Sequence, residues 1–372
     1  KGDQVTRARW QQDLKANSLI SNTEAEGQLQ TGPVEHRLLV GFEQNWQERT
    51  PKLYQNATAI PSGNLYDPGS LPTYNGAMKL SSDAKHKVRG NGLYLQDQLS
   101  LGDWHLVGGL RRDDFTVTSR RYDLNKEESV SVNSLSPRLG LVWNPLEDHA
   151  FYTSYSKTFT PVGGELIGIT PGDKNNGLEP QHTRLYEGGV KSDWLNGKLA
   201  TTISLYRLEM YNKRTKDPLD PTKVILTGLQ RTEGVELSAR AELTDELYLR
   251  GGFAIQDAEQ VKADADLQGK RPMNVSRQNG QLYLGYQSGE QGWFGETGVT
   301  AVGDRFADNA NTTALPGYAR FDARAGYRWQ QWEAQLSAEN LTDHEYFVSA
   351  TSATQIMPGT PRQLSLTGTY RF

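Results

Sequence analysis

Apolar and polar residues alternate along most of this chain, and the alternation predicts β-strands. In the segment ARFDARAGYRW, Phe321, Ala323 and Tyr327 fall on one face of such a strand, whereas Arg320 and Arg324 fall on the other. Successive side chains of a strand point to opposite sides of a sheet, so a period of two produces one apolar and one polar face. An apolar face opposite charges of both signs is typical of a barrel wall between lipid and water.

Counting the alternating runs predicts about sixteen strands. The expected fold class is therefore all-β, and in particular a transmembrane antiparallel up-and-down β-barrel. In FYTSYSKTF and TTISLYRLEM the pattern leaves open which face is the apolar one. The predicted strands lie near residues 4–10, 20–31, 35–47, 88–101, 104–117, 134–143, 149–159, 183–194, 198–212, 226–242, 246–258, 276–287, 293–304, 318–329, 332–344 and 362–372.

The connections between these strands are of two kinds. Short turns such as LGDW, WLNG and SGEQGW recur roughly every 40–50 residues, the length of two strands and one longer loop. Short turns at one end and long loops at the other are the asymmetry of an outer-membrane barrel. The predicted long loops are rich in Gly, Pro, Asn and Asp and lie at 49–85, 119–131, 160–181, 213–224, 260–274, 305–316 and 346–360.

Most of the tryptophans lie beside the short turns, and only Trp10 and Trp46 lie elsewhere. Indole rings favour the boundary between membrane and water, where an apolar body meets a polar tip. We therefore predict an aromatic belt at the short-turn end, although tryptophan also closes hairpins in soluble proteins. The residues of this belt are Trp104, Trp143, Trp194, Trp293, Trp329 and Trp332.

Composition narrows the function classes. The 372 residues carry a formal net charge of −4 and no cysteine, and a mildly acidic chain is a poor partner for nucleic acid. No run of apolar residues is long enough for a transmembrane helix. The sequence also lacks a phosphate-binding Gly-rich loop, a nucleophile elbow and a Cys/His cluster with metal-ligand spacing. We therefore expect no catalytic residues and no metal site.

Several segments, taken together and in order, resemble the TonB-dependent siderophore receptors. Each segment is weak alone, but their common order is specific, and the resemblance runs from about Val34 to Phe372. The segments are VEHRLLVGFE, GLYLQDQLSL, LVGGLRRDDF, SYSKTFTPVGGE, GLEPQHTRLYEGGVKSDWLNGKLATTISLYRLE, LTGLQRTEGVELSARAELTDELYLRGGFAIQDA, AENLTDHEYF and GTPRQLSLTGTYRF. The stretch RLEMYNKRTKDP, followed by LTGLQRTEGVEL, is most similar to receptors for catecholate-type ferric siderophores.

The resemblance implies a barrel of about 22 strands around an N-terminal plug, with a TonB-contacting segment ahead of the plug. Residues 1–372 are then expected to be the C-terminal portion of the barrel, with the plug domain and the first barrel strands lying outside this sequence. The implied function is TonB-dependent uptake of a ferric siderophore across the outer membrane of a Gram-negative bacterium, and the narrower resemblance implies a siderophore of the catecholate type. The implied partners are the siderophore, outer-membrane lipid and, through the N-terminal part, the TonB–ExbB–ExbD system, with no covalent cofactor.

Candidate ligand-binding residues lie in the loop 49–85 and just after it. Tyr54, Tyr66 and Tyr74 offer aromatic rings and hydroxyls to a catechol ligand. Arg89, with Lys85 and Lys87 close by in the sequence, would attract a negatively charged ferric complex. Arg111 is predicted to face the lumen and to contact the same ligand.

Charged residues on the polar side of the strands are predicted to line the barrel lumen, chiefly Arg240, Arg320, Asp322 and Arg324. Mutual charge compensation in a wet lumen is the simpler interpretation of most such residues. The other predicted lumen charges are Arg111, Asp113, Arg138, Glu187, Lys191, Glu236, Glu296, Arg328, Glu333 and Glu339.

The chain ends in LSLTGTYRF, an alternating run that closes on an aromatic residue. Tyr370 and Phe372 resemble the signal read by the β-barrel assembly machinery. An alternative function is a passive diffusion porin, since 16 strands suit a complete porin with an aqueous channel. The family segments argue against it, and no constriction loop is identifiable.

Overall fold

The computed structural model describes residues 4–64, 66–67, 73–161, 168–216 and 224–372. All the regular secondary structure in these residues is β-strand. The strands are β1 (Gln4–Arg7), β2 (Trp10–Thr31), β3 (Val34–Asn56), β4 (Ile60–Asn64), β5 (Met78–Leu101), β6 (Trp104–Arg121), β7 (Lys126–Leu146), β8 (His149–Thr160), β9 (Gln181–Trp194), β10 (Leu199–Lys216), β11 (Val224–Glu242), β12 (Leu247–Lys262), β13 (Gln278–Gln287), β14 (Gly292–Val302), β15 (Arg305–Phe306), β16 (Ala314–Leu315), β17 (Tyr318–Trp329), β18 (Trp332–Glu339), β19 (Phe347–Ser352), β20 (Gln355–Pro358) and β21 (Gln363–Tyr370).

One antiparallel sheet of 15 strands dominates the fold, and its order follows the chain from β2 to β21. Each strand pairs with the preceding and the following strand of the sheet, which is the up-and-down topology predicted from the sequence. The remaining strands form three two-stranded pairs, β1–β4, β15–β16 and β19–β20. Among the described residues β2 pairs only with β3 in this sheet, and β21 only with β18, so the two edge strands do not pair with each other.

The strand predicted at 4–10 is present only as β1 (Gln4–Arg7) and does not belong to the large sheet, which accounts for the difference between about sixteen expected strands and the 15 of the sheet. β1 leaves the sheet and pairs with β4 instead. Arg9 marks the break, because its N–H donates to Asn56 Oδ1 at 3.0 Å and its carbonyl accepts from the Asn56 N–H at 3.1 Å. β2 then begins at Trp10, well before the predicted start near residue 20.

Several strands continue far beyond their predicted ends. β3 and β5 take in residues 49–56 and 78–85 of the stretch 49–85, and β6 and β7 take in 119–121 and 126–131 of the stretch 119–131; both stretches were expected to be long loops. The connection between β6 and β7 is only the turn 122–125. Both faces of these extensions are largely polar. The backbone pairing continues there, but apolar and polar residues no longer alternate, so the sequence does not reveal the strand.

The two ends of the sheet differ as predicted. Short connections of two to four residues join β2–β3, β5–β6, β7–β8, β9–β10, β11–β12, β13–β14 and β17–β18; they all lie at one end, hereafter the short-turn end. The tight hairpin between β5 and β6 needs a backbone with positive φ, which Gly102 supplies at φ 55°. The long connections, together with the four-residue turn between β6 and β7, lie at the other end, hereafter the long-loop end.

The sheet has two chemically distinct faces. The face that we call the apolar face exposes large hydrophobic side chains such as Leu93, Leu95 and Leu139. The opposite face, the charged face, carries ion pairs such as Arg111–Asp113 and Arg250–Glu296. On β7 the apolar zone runs from Leu135 to Trp143, about 27 Å along the strand, comparable with the apolar band of about 25 Å around an outer-membrane barrel.

The structure resolves the two strands whose faces the sequence left open. Phe151 of β8 and Leu205 of β10 lie exposed on the apolar face. Their neighbours Tyr152 and Tyr206 point to the charged face, where their hydroxyls donate to Glu187 at 2.6 Å and to Gln256 at 2.9 Å. The apolar face is therefore continuous across the middle of the sheet.

The tryptophan belt at the short-turn end is confirmed. Trp104 and Trp143 are register partners and stack with ring centroids 5.4 Å apart. Trp293 packs on Tyr327 at 5.1 Å, and Trp332 packs on Tyr370 at 4.7 Å. Trp194 and Trp329 also end strands beside short turns, so indole rings border the apolar zone along much of the sheet.

Buried apolar residues are few in the described part, and six of them form two small clusters at the long-loop end. One contains Val88, Val117 and Ile169, and the other Ala307, Leu315 and Ala350. Among the described residues there is no helix with the length and apolarity needed to cross a bilayer. The sheet therefore places its hydrophobic surface on the outside rather than in a core.

A charge at mid-height of the apolar face should destabilise the protein if that face contacts hydrocarbon. Leu139→Arg should lower the free energy of unfolding in lipid vesicles by about 2–4 kcal/mol. Asn133→Arg lies on the same strand and face but at the edge of the apolar zone, and should cost about 0–1 kcal/mol. Equal losses for the two variants in a urea titration would contradict the assignment of the apolar face.

Candidate functional site

Ion-pair networks tie neighbouring strands together on the charged face. Glu296 of β14 accepts from Arg250 Nε at 2.8 Å and from an Arg250 terminal nitrogen at 2.7 Å, and Arg324 of β17 lies 3.7 Å away. The Tyr248 hydroxyl adds a hydrogen bond of 3.1 Å to the same carboxylate. The Glu296 side chain is only 7% exposed. A nearly buried carboxylate is stable here because two cations and a hydroxyl satisfy it.

Arg111 is the centre of a second network, toward the long-loop end. Its Nε donates to both Asp113 carboxylate oxygens at 2.9 and 3.0 Å, and a terminal nitrogen donates to Glu43 at 3.3 Å. The guanidinium also lies 5.4 Å from the centre of the Tyr94 ring, whose hydroxyl bonds Glu24. Two carboxylates contact the one cation and a third, that of Glu24, bonds the neighbouring tyrosine, so the local charge of this network is negative.

A polar cleft of about 1080 Å³ lies on the charged face of β9 to β14, below the long loops. Hydroxyls and amides supply most of its polar groups, and Glu187 and Glu236 supply the negative charge. No Lys or Arg is among its described lining residues, although Lys213 donates to the Gln230 side-chain oxygen at 2.8 Å from outside the lining. Its polar lining includes Thr202, Ser204, Tyr206, Gln230, Thr232, Gln256, Ser276, Asn279, Gln281 and Thr300. Such a surface suits a ligand rich in hydrogen-bonding groups that is neutral or positively charged.

The segment after residue 168 covers another part of the charged face. Ile169 packs on Val88 and Val117, and its N–H donates to Ser119 Oγ at 3.0 Å. Farther along, the Gly172 N–H donates to Glu128 of β7 at 2.6 Å. The described part of the connection between β8 and β9, from residue 168 onward, is therefore held against β5, β6 and β7.

Three of the long loops are joined into one unit, which we call the loop platform (263–277, 303–317 and 340–362). Asn274 exchanges two hydrogen bonds of 2.8 Å with the backbone of Ala350. Arg305 donates to the carbonyls of Val348 and Phe347 at 2.6 and 2.7 Å. Asn340 is fully buried and donates to the carbonyls of two other platform residues. In these loops, side chains thus act as hydrogen-bond partners for backbone groups that have no neighbouring strand to pair with.

Asp308 organises a turn of the loop platform. Partial burial by itself would raise the pKa of Asp308, but hydrogen bonds from the Thr312 N–H and hydroxyl and from the Thr313 and Ala310 N–H groups outweigh it. These bonds measure 2.9 to 3.2 Å. The net result is a pKa below the ordinary value of an aspartate.

The structure does not bring the five predicted ligand-binding residues together. Arg111 lies on the charged face, whereas Arg89, on β5, points to the apolar-face side beyond the apolar zone. Tyr54 pairs with Gln11 near the end of β3, on the same side as Lys52. Tyr66 is 79% exposed in the loop, and Tyr74 uses its hydroxyl within the loop, donating to the Ala77 carbonyl at 2.9 Å.

The predicted lumen charges all lie on the charged face. Arg320 and Asp322 pair at 2.9 Å, and Asp322 also accepts from the Asn340 N–H at 3.0 Å. Arg324 belongs to the Glu296 network, and Arg240 lies 5.5 Å from the centre of the Tyr248 ring. At the chain end, Tyr370 contacts Trp332, and Phe372 is fully exposed.

Sequence reasoning missed several partners of these charges. Glu43, Tyr94 and Arg250 were not singled out, because their roles depend on cross-strand register. One signal was present in the sequence: Arg-x-Asp, which puts both side chains on one face of a strand. It recurs at Arg111–Asp113, Arg112–Asp114, Arg121–Asp123 and Arg320–Asp322, each an ion pair in the structure.

Among residues 4–64, 66–67, 73–161, 168–216 and 224–372, no cluster of three or more His, Asp or Glu is arranged to hold a metal ion.

Comparison with known proteins identifies the class of fold. The family model described as TonB dependent receptor-like, beta-barrel matches residues 2–341. The chain therefore belongs to this family of β-barrels.

Individual relatives agree with this assignment. The chain is 30% identical over 361 residues to the ferrioxamine B receptor of Salmonella typhimurium, covering 94% of this chain and 50% of that protein. Its fold resembles the siderophore receptor PiuA from Acinetobacter baumannii, with TM-score 0.85 and 23% identity over 96% of this chain and 56% of that one. It also resembles the ferric-catecholate import receptor Fiu from Escherichia coli K12 in its closed form, with TM-score 0.84 and 22% identity over 97% of this chain and 55% of that one. The chain spans about half the length of the curated relatives that it matches.

Removing the Asn274 side chain should loosen the loop platform. Asn274→Ala loses two hydrogen bonds and puts alanine at φ 62°, so local opening should become easier by about 1–3 kcal/mol. Asn196→Ala is the matched control, since Asn196 has φ 57° in an exposed short turn. Hydrogen exchange in residues 347–358 should accelerate in the first variant only; unchanged exchange there would contradict the role of Asn274.

The turn at Asp308 should be pH-dependent. Because the pKa of Asp308 is lowered in the folded state, its stabilisation is complete above the ordinary aspartate pKa of about 3.9. It is lost as the pH falls through the folded-state pKa. Hydrogen exchange of the Thr312 and Thr313 amides, corrected for intrinsic rates, should show this loss in the wild type and not in Asp308→Asn. The same pH dependence in both proteins would refute the assignment.

Proposed function

We propose that this chain is the C-terminal barrel portion of an outer-membrane receptor for TonB-dependent uptake of a ferric siderophore. The observation that carries the proposal is the polar cleft on the charged face, below the long loops, in a chain of the TonB-dependent receptor-like family. Several relatives are named as siderophore receptors. Recognition and passage of the cargo need no covalent chemistry, and no covalent cofactor is proposed.

In the proposed arrangement the charged face lines the lumen and the apolar face contacts outer-membrane lipid of a Gram-negative cell. The plug domain and the first strands belong to the part of the receptor outside residues 1–372, and that part also engages the TonB–ExbB–ExbD system. The coverage of relatives supports this, since each match takes up about half of the other protein. Strands supplied by that part would satisfy the open ladder of β2 and β21, because unpaired backbone groups in hydrocarbon are costly. Tyr370 and Phe372 are proposed as the assembly signal.

The passive porin is the weaker alternative. A complete porin would close on itself, with the segments 4–10 and 362–372 in one continuous hydrogen-bonded register. In the described residues β1 pairs with β4 and β21 pairs only with β18. The family match favours a receptor.

The class of siderophore can be argued from charge. Three catecholates leave ferric iron with three negative charges, whereas three hydroxamates leave it neutral. The sequence favoured a catecholate, and Arg111 and the exposed Tyr66 remain candidate contacts for it. The cleft, however, contains Glu187 and Glu236 and no described cation, and one relative is named for ferrioxamine B. These observations support a hydroxamate-type complex, neutral or positively charged, as the second candidate.

Uptake of radiolabelled iron separates the two candidates. In iron-starved cells that produce the full-length receptor and no other, uptake should require TonB and should occur with one siderophore class. If the carboxylates hold a cationic hydroxamate complex, Glu187→Gln with Glu236→Gln should weaken its apparent affinity about tenfold or more. Glu339→Gln, on the same face but outside the cleft, should leave it unchanged. If the double variant instead improves uptake of the catecholate complex, the catecholate is the favoured cargo. Iron entry without TonB would contradict the proposed receptor function.

A further inference from the structure

The apolar face carries one acid–base pair of side chains within its apolar zone. Between the tryptophan belt and the level of the Arg112–Asp114 ion pair, the outward positions of the described strands otherwise hold apolar residues, glycine, serine, threonine and tyrosine. His36 of β3 and Asp97 of β5 are the exceptions, and His36 Nδ1 donates to Asp97 Oδ2 at 2.8 Å. The pair therefore interrupts a surface that is otherwise free of acidic and basic groups.

The orientation of this pair follows from strand parity. A Cβ added at Gly92 would meet Arg111 on the charged face, so the even-numbered positions of β5 point to that face. β5 pairs with β3 and β6 without a bulge around Asp97, and Asp97 therefore lies on the apolar face with Leu95. His36 reaches it diagonally from β3, whose register partners on β5 continue past this point.

Asp97 lies inside the apolar zone rather than at its rim. Leu101, at the short-turn end of β5, is about 13 Å away along the strand. Because barrel strands are tilted by about 40°, this places Asp97 about 10 Å below the rim. Lipid headgroups and soluble proteins stay at the surface, so a partner for this pair must itself be embedded in the membrane. Acidic and basic side chains at such a depth are costly, and they mark functional sites.

The pair is incomplete within one molecule. In its ionic form the imidazole has a second N–H at Nε2, for which the described residues provide no hydrogen-bond acceptor. Asp97 Oδ1 likewise accepts no hydrogen bond. The side chains of His36 and Asp97 are 18% and 28% exposed, so both reach the surface of the apolar face. One donor and one acceptor thus stay unsatisfied at the same place.

Two glycines open the surface on either side of the pair. Gly108 of β6 is the register partner of Asp97, and Gly27 of β2 is the register partner of Leu38. A Cβ added at Gly108 would make only an ordinary contact of 3.9 Å with Leu139, and one added at Gly27 would meet nothing within 4 Å. Small residues let neighbouring backbones approach closely in a membrane. The pair is therefore accessible to another protein surface.

The chemistry of the pair matches a second copy of itself. Contact between identical copies around a two-fold axis needs a self-complementary patch. A patch with one unsatisfied donor, at His36, and one unsatisfied acceptor, at Asp97, has this property, because each group finds its complement on the other copy. Such polar contacts across a membrane interface are favourable, since lipid offers the same groups no hydrogen bonds.

The available area makes the polar contact decisive. The apolar zones of β2, β3, β5 and β6, about 4.8 Å apart and about 27 Å long, make a surface of about 500 Å². Two such surfaces would bury about 1,000 Å², the lower limit for a specific interface. Lipid tails are as apolar as leucine, so apolar contact gives little preference for a protein partner in a membrane. The His36–Asp97 pair would supply that preference.

We propose that the face around His36 and Asp97 is the contact between two copies of the receptor in the membrane. Across a two-fold axis, His36 Nε2 of each copy donates to the Asp97 carboxylate of the other, which turns about its Cβ–Cγ bond to present Oδ1. Gly27 and Gly108 leave room for the approach. The inference rests on the proposed function in one respect, namely that the apolar face lies in a membrane.

Energy transfer between two fluorescently labelled populations of the full-length receptor, mixed in lipid vesicles over a range of lipid-to-protein ratios, tests the proposal. His36→Leu with Asp97→Leu should weaken association about tenfold, the effect of two hydrogen bonds across a membrane interface. The midpoint of urea unfolding at high lipid dilution should not fall, because leucine replaces acidic and basic groups in hydrocarbon. A lower midpoint with unchanged association would show that the pair only supports the fold, and would overturn the proposal.

A second variant tests the approach of the two surfaces without touching the charges. Gly108→Leu adds a side chain next to Asp97 and should also weaken association. Gly188→Leu is the matched control on the apolar face of β9, where an added Cβ would lie 3.6 Å from the Tyr152 carbonyl oxygen, and it should leave association unchanged. Equal effects of the two variants, or a wild type that is monomeric at every dilution, would overturn the proposal.

A photo-crosslinking residue in place of Leu95 identifies the partner in native outer membranes. A crosslink to a second copy supports the proposal, whereas a crosslink to a different membrane protein overturns it. Ferric siderophore uptake by the double variant is measured in parallel and should be normal, because the charged face is untouched. Absence of TonB-dependent uptake in the wild type would count against the proposed function and leave the energy-transfer result standing.

Discussion

The structure depends on the pairing of backbone N–H and C=O groups between neighbouring strands. In hydrocarbon no water is available for these groups, so each must find a partner within the protein. The sheet meets this demand from β2 to β21 by pairing every strand with its neighbours in the chain. Because the ladder needs no help from side chains, each face is free to carry its own chemistry: leucine, alanine and tryptophan on one side, and ion pairs and hydroxyls on the other.

Charge serves two different purposes within the charged face. On the charged face, carboxylates such as Glu296 and Asp113 are nearly buried and fully satisfied by arginines, so these networks fix strand register. The cleft over β9 to β14 instead presents Glu187 and Glu236 among uncharged polar groups. The contrast between a neutralised wall and an acidic cleft is the reason to assign recognition to the cleft.

The long-loop end combines rigidity with exposure. Asn274, Arg305 and Asn340 join three loops through backbone-directed hydrogen bonds. A platform held in this way loses little conformational entropy when a ligand binds, which favours affinity. On the opposite side of the wall, the strands extend beyond the apolar zone.

The sequence alone determined the fold class, because alternation and turn length are local: LGDW must turn, and ARFDARAGYRW must present Phe321 and Arg320 to opposite sides. It also placed the tryptophans at one end. It also indicated the side on which Arg89 lies, because Arg89 is an even number of positions from Leu93 and Leu95 and therefore shares their face of the strand. Only the tertiary structure decided that Arg111 meets Glu43, that β1 pairs outside the large sheet and that β3, β5 and β7 run past the apolar zone. The reason is physical. Which residues meet across strands depends on the register of pairing, and a strand that is polar on both faces shows no alternation of apolar and polar residues in the sequence.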